Sequence, residues 1–176
     1  MTTLDEVIDL YDRWGAEHYD EEVGQLDHAL QTAALAASDG AADPVVAAAL
    51  LHDAGHLLAL RGGPAAPHER TASAFLAKLF PASVTTPIAL HVAAKGYLCA
   101  VEPGYHAGLS VGSQRSLRRQ GGPMAASDVT AFEATPGWAD AVALRRWDDA
   151  GKVDDLAVPG LASYEPLLRS LVCSGS

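Results

Sequence analysis

"LLHDAGHLL", residues 50–58, follows "PVVAAA" (44–49) and closes the most apolar part of the chain. The leucines and alanines predict a buried helix, with Asp43 available as a cap and Pro44 suited to the first turn. His52, Asp53 and His56 interrupt that pattern. Polar groups of this kind are expensive to bury without partners. Either something compensates them, or the periodicity conceals an exposed face.

Outward from this stretch, helical periods recur from end to end, separated by Gly and Pro. Before it lie residues 4–19, with Leu4, Val7, Ile8, Tyr11 and Trp14 on one stripe, and 25–40, which stops at Gly40. After a loop at 61–67 come helices over 68–80 and 85–98, then 109–122, 127–137, 138–152 and 161–171. No alternating strand pattern of useful length, repeat or low-complexity tail breaks the series. The expected fold is all-α, a single helical domain over residues 1–176.

An apolar fraction of 49% excludes a disordered chain, and a net charge of −10 argues against general binding to nucleic acid or an anionic membrane. A local cationic cluster can still oppose the global sign. Cys99 and Cys173 form no metal or redox motif and read as reduced cysteines of a cytoplasmic protein. No uninterrupted apolar run approaches the roughly 20 residues that cross a bilayer. The expectation is a soluble protein that is not exported.

Seven histidines are present, and five of them (His28, His52, His56, His68 and His91) fall on helices or helix starts beside apolar residues. One alone is an ordinary core or surface histidine. Several on successive apolar helices point to metal, because imidazole and carboxylate suit iron, zinc and manganese. Neighbours on a helix point about 100° apart. His52 and Asp53 can therefore share one ion, and the other oxygen of Asp53 can reach a second. His56 lies one turn beyond His52, over the same site, as ligand or as substrate contact. Lys95 stands one turn beyond His91, so a lysine and a histidine, each a turn from a ligand, form a positive cluster fit for an anionic substrate.

This H…HD constellation resembles the HD-domain superfamily of metal-dependent enzymes. Within it, the chain is similar to the phosphonate-cleaving mixed-valent diiron oxygenases, relatives of myo-inositol oxygenase. The resemblance rests on "EEVGQLDHALQTA" (21–33), "AALLHDAGHLL" (48–58), "LHVAAKGYLCAVEPGYHAGLS" (90–110), "SLRRQGGPM" (116–124) and "LRRWDDAGK" (144–152).

The resemblance implies an Fe(II)/Fe(III) pair. His28, His52, Asp53 and one of Asp148 or Asp149 would hold one ion; Asp53, His68 and His91 would hold the other. Asp148 is chosen because it shares a helical side with Arg145, which leaves Asp149 as a solvated helix end. Such enzymes use O2 to cleave the C–P bond of a small α-hydroxyphosphonate, such as 2-amino-1-hydroxyethylphosphonate or an N-methylated analogue, giving phosphate and a carboxylate. Asp53, His56 and Lys95 would be catalytic. His56, Lys95, Ser113 and Arg145 would contact the phosphonate, with Ser116 and Gln120 as weaker candidates. Tyr19 and Glu21 would close over the tail.

Two other readings use the same residues. A metal-dependent phosphohydrolase acting on a nucleotide or phosphomonoester would need the same ligands and no O2. A non-catalytic sensor module would be expected to lack ligands or carry attached domains, and the sequence shows neither.

Overall fold

A computed structural model describes residues 2–18, 22–64 and 66–173, and among these every regular element is helical. Helix α1 (Leu4–Trp14) starts at a capping box: Glu6 N–H donates to Thr3 Oγ1, and Thr3 N–H donates to Glu6 Oε2. It ends five residues short of the expected Tyr19. Leu26 N–H donates to the Gly15 carbonyl and Gln25 N–H to the Glu17 carbonyl, so residues 15–17 serve the start of α2 (Gln25–Ser38) instead of continuing α1.

The decisive departure lies in the apolar stretch. The single helix expected there is two: α3 (Asp43–Leu51) and α4 (Ala54–Leu60). Asp53 sits between them at φ −98°, ψ 8°, the bridge region in which active-site residues are often found. At the break, Tyr11 Oη donates to the Leu50 carbonyl (2.9 Å) and His52 Nδ1 donates to the Ala49 carbonyl (2.8 Å).

Helices α5 (His68–Leu76) and α6 (Ala82–Val101) follow. By length and mean composition α6 could cross a bilayer, although Thr85, Thr86, His91 and Lys95 interrupt its apolar run. Here it is the central helix, packed on α3, α5 and α10 (Trp138–Ala150), with His91 and Lys95 buried. Between α6 and α10 lie α7 (Tyr105–Gly108), α8 (Val111–Arg119) and α9 (Ala126–Glu133). A 3-10 turn (Leu161–Ser163) leads to α11 (Glu165–Leu171).

The main core joins α1, α2, α3, α4, α5, α6, α10 and α11. Leu10, Leu50, Leu51, Leu57, Leu76, Ile88, Leu144 and Leu168 are all fully buried in it. Each such side chain stabilises the fold by about 1.5–3 kcal/mol. A smaller cluster of Tyr97, Leu98, Phe132 and Ala141, with Trp138 against it, fastens α9 to α6 and α10. The polar residues of "LLHDAGHLL" face the space between α2, α5, α6 and α10.

Candidate metal centre and adjoining cavity

Each helix bordering that space contributes a donor. His28 comes from α2, His52 and Asp53 from the α3–α4 break, His68 from the first position of α5, His91 from the middle of α6 and Asp148 from the last turn of α10. His28, His52, His91 and Asp148 are buried, and Asp53 and His68 are half-buried. A side chain on Gly55 could not be accommodated: its Cβ would stand 2.0 Å from the His68 carbonyl oxygen. That close approach of α4 to the start of α5 brings His68 to Asp53.

The carboxylate of Asp53 faces two groups. Its Oδ2 lies 3.7 Å from His28 Nε2 and 3.5 Å from His52 Nε2. Its Oδ1 lies 3.3 Å from His68 Nε2, 3.7 Å from His91 Nε2 and 3.9 Å from His56 Nε2. Asp148 joins the first group, with Oδ1 3.3 Å from His28 Nε2 and Oδ2 3.8 Å from His52 Nε2.

The imidazoles test whether these residues suit a metal. Nδ1 of His28 donates to the Gly151 carbonyl (2.7 Å), that of His52 to Ala49 and that of His91 to Ile88 (2.7 Å). In the neutral rings each Nε2 is then a bare lone pair turned inward. His28 Nε2 and His52 Nε2 are 3.2 Å apart, as are His68 Nε2 and His91 Nε2. Two such lone pairs, as His28 and His52 present to each other, repel unless a cation lies between them. Ligands about 2.1 Å from one ion stand about 3.0–3.4 Å from each other, close to the spacings here. The cluster is capable of holding metal.

Charge is arranged to match. Burial raises the Asp53 carboxyl, but His52, His56 and His68 outweigh it, and its pKa is well below the usual range. Burial also opposes ionisation of Asp148, yet Arg145, Lys152 and His28 hold it well below that range. Burial lowers His28, and the hydrogen bond and charge of Asp148 raise it by more. Burial followed by the neighbouring imidazoles pushes His91 well down, while His52 is lowered by burial despite Asp53.

Beside the donors lies a cavity of about 110 Å³ with a cationic wall. Lys95 is buried and donates to Ser116 Oγ at 2.6 Å; burial, then Arg145, bring its pKa to about 8. Arg145 Nη1 lies 2.6 Å from Asp148 Oδ2, and Nη2 donates to Ser113 Oγ at 3.3 Å. Arg145 Nε and Gln25 Oε1, both buried in residues of the cavity wall, have no partner in the protein.

His28, His52, Asp53, His68, His91 and Asp148 are thus brought together, and His56, Lys95, Ser113, Ser116, Gln120 and Arg145 line the same cavity. His56 stacks on His68, ring centroids 4.1 Å apart, within reach of the Asp53 Oδ1 group. Tyr19 and Glu21 lie outside the described residues. Asp149 corrects the sequence expectation of a solvated helix end. It is half-buried and accepts hydrogen bonds from Arg145 and from Tyr105 Oη, because α7 folds back over the end of α10. Lys152, also in the cavity wall, was not anticipated. Its spacing of four residues from Asp148, within the helix expected over 138–152, was the available signal.

Fold and site together define an all-helical protein with an interior His/Asp cluster able to hold metal, set against an anion-receptive cavity. No family model matches the chain. Hydroxymethylphosphonate dioxygenase of Gimesia maris is 43% identical over 171 residues, covering 93% of this chain and 85% of its own. The glycine-betaine-forming 1-hydroxy-2-(trimethylamino)ethylphosphonate dioxygenase of Leisingera caerulea is 36% identical over 170 residues, 93% of this chain and 87% of its own. The chain belongs to this family of phosphonate dioxygenases, and it is an oxygenase.

Proposed function

We propose that the protein is a single HD-type domain over residues 1–176, cytoplasmic, that uses O2 to cleave the C–P bond of a small α-hydroxyphosphonate. The observation that carries this reading is the pair of facing Nε2 contacts on either side of Asp53, opening onto a wall of Lys95 and Arg145. His28, His52, Asp53 and Asp148 hold one iron and Asp53, His68 and His91 the other, as an Fe(II)/Fe(III) pair. When bound, the pair supplies the redox capacity that activates dioxygen.

The chain's own residues bind and orient. Lys95, Arg145, Ser113 and His56 take the phosphonate oxygens, and the confined cavity keeps bulk water from the reacting carbon. Hydroxymethylphosphonate is the first substrate to test, because the more similar of the two relatives carries its name and the cavity is small. Its oxidation balances as hydroxymethylphosphonate dianion plus O2 giving formate and dihydrogen phosphate.

The test is phosphate release from hydroxymethylphosphonate by iron-loaded protein, with and without oxygen. Release that needs O2 and matches its uptake supports the oxygenase. Equal release under strict anaerobiosis, or from phosphomonoesters instead, would replace it with a hydrolase. A mixed-valent diiron EPR signal that shifts on adding the compound would support the iron pair.

A further inference from the structure

Lys152 belongs to no regular element; it follows Gly151, which ends α10. Three hydrogen bonds fix the chain on either side of it. His28 Nδ1 donates to the Gly151 carbonyl (2.7 Å), Gln31 Nε2 to the Val153 carbonyl (2.7 Å), and Val153 N–H to Gln31 Oε1 (3.0 Å). Residues 151–153 are thereby laid along α2. Gly151 permits the approach, since a Cβ there would stand 2.7 Å from Thr32 Oγ1. The lysine side chain turns inward and is only 12% exposed. Its Nζ donates to Ser113 Oγ at 2.9 Å and lies 3.3 Å from Asp148 Oδ1.

A charge count gives this placement meaning. The cavity wall carries four cations, Lys95, Arg119, Arg145 and Lys152, against the carboxylates of Asp53 and Asp148, with Asp149 a third beside Arg145. The protein's own charges leave no negative surplus there, so the charge of any bound metal calls for an anion from solution. Neutralising Asp148 does not require Lys152, because Arg145 Nη1 already meets that carboxylate at 2.6 Å. A second cation there competes with metal for Asp148, a cost that a purely structural lysine would not offset.

Resting on the reading of the site given above, we propose that Lys152 is a third cation of the phosphonate subsite and donates directly to a phosphonate oxygen. The Ser113 hydroxyl supports the direction. It accepts from Arg145 Nη2 and from Lys152 Nζ, which uses both its lone pairs. Its O–H is left to donate into the cavity that Lys95, Ser113, Arg145 and Lys152 line together. A tetrahedral anion seated there meets a hydroxyl, a guanidinium and two ammonium groups.

The test compares wild type, Lys152→Met and Lys152→Arg as metal-loaded full chains. Binding of inorganic phosphate is followed by calorimetry, KM and kcat are measured on hydroxymethylphosphonate, and metal content is determined. Lys152→Met is expected to weaken phosphate binding and raise KM about ten- to a hundredfold, the loss of one charged hydrogen bond. Metal content is expected to hold, kcat to change less than KM, and Lys152→Arg to restore most of the affinity. Unchanged phosphate affinity and KM at full metal content would overturn the proposal. So would loss of metal with unchanged phosphate affinity per loaded site, which would reduce Lys152 to a support for Asp148. Lysine-dependent phosphate binding in a protein that oxidises no hydroxyphosphonate would keep the anion subsite and overturn the oxygenase substrate instead.

Discussion

The Nδ1 of His28 on α2 donates a 2.7 Å hydrogen bond to the carbonyl of Gly151 at the end of α10, across 123 residues of chain. One contact therefore ties the two helices together and aims the His28 Nε2 at Asp148 and Asp53. Orientation of a ligand through its second nitrogen is a common device in metal sites, and here the partner is main chain.

Two glycines should each control one half of the donor cluster. Gly151→Ala puts a Cβ 2.7 Å from Thr32 Oγ1, pushing residues 151–153 off α2. Gly55→Ala puts one 2.0 Å from the His68 carbonyl. Each is expected to cost about 1–3 kcal/mol by overpacking, with the backbone clash at Gly55 the worse. Gly151→Ala should lose the ion of the Asp53 Oδ2 group first, and Gly55→Ala that of the Oδ1 group. Metal stoichiometry and Tm, measured together, check this.

Asp53→Ala is expected to remove both metal ions, because each oxygen of the carboxylate serves a different histidine pair. Lys95→Ala should keep both and raise the KM about tenfold or more, the loss of a charged hydrogen bond. Metal analysis separates the two variants, and a full complement of iron in Asp53→Ala would end the bridging assignment.

Lys95 sets a pH limit on binding. Its burial and its proximity to Arg145 lower its pKa to about 8. The ammonium form attracts a phosphonate; the neutral amine does not. Affinity should therefore be held below about pH 8 and fall as the pH rises through that value. Lys95→Arg, which stays protonated throughout, should flatten that limb. A phosphate-binding titration against pH would reveal either outcome without turnover.

Protons should also displace metal on acidification. Burial lowers His28 and His68, but Asp148 raises the first by more and Asp53 raises the second by more, so both protonate above the ordinary histidine value. A ligand must be neutral to bind metal. Release is thus expected to advance as the pH falls, with protons taking His28 and His68 first. Metal retained after desalting at stepped pH measures it, and full occupancy at about pH 5 would contradict it.

Much of this was legible in the sequence, for identifiable reasons. Imidazoles and carboxylates among leucines and alanines stand out because burial without a partner is costly, and this marked His28, His52, Asp53, His68 and His91; Asp148, in a charged segment, was reached only through the family resemblance. The break between α3 and α4 did not stand out. Both sides of it are buried, so the apolar pattern carries no mark of where the helix turns. Asp149 and Lys152 were hidden by the opposite effect. They sit in a charged helix end that reads as solvated, and only the return of α7 and the pairing of residues 151–153 with α2 enclose them.

The order of the donors along the chain has a consequence for synthesis. The group around Asp53 Oδ1 draws on residues 53, 56, 68 and 91, whereas the group around Oδ2 also needs residue 148. During translation the residues of the first group are all made once α6 has emerged, and those of the second are complete only with the last turn of α10. Because α10 also packs on α6, the helix that brings the last donor is the one that closes the space the others face.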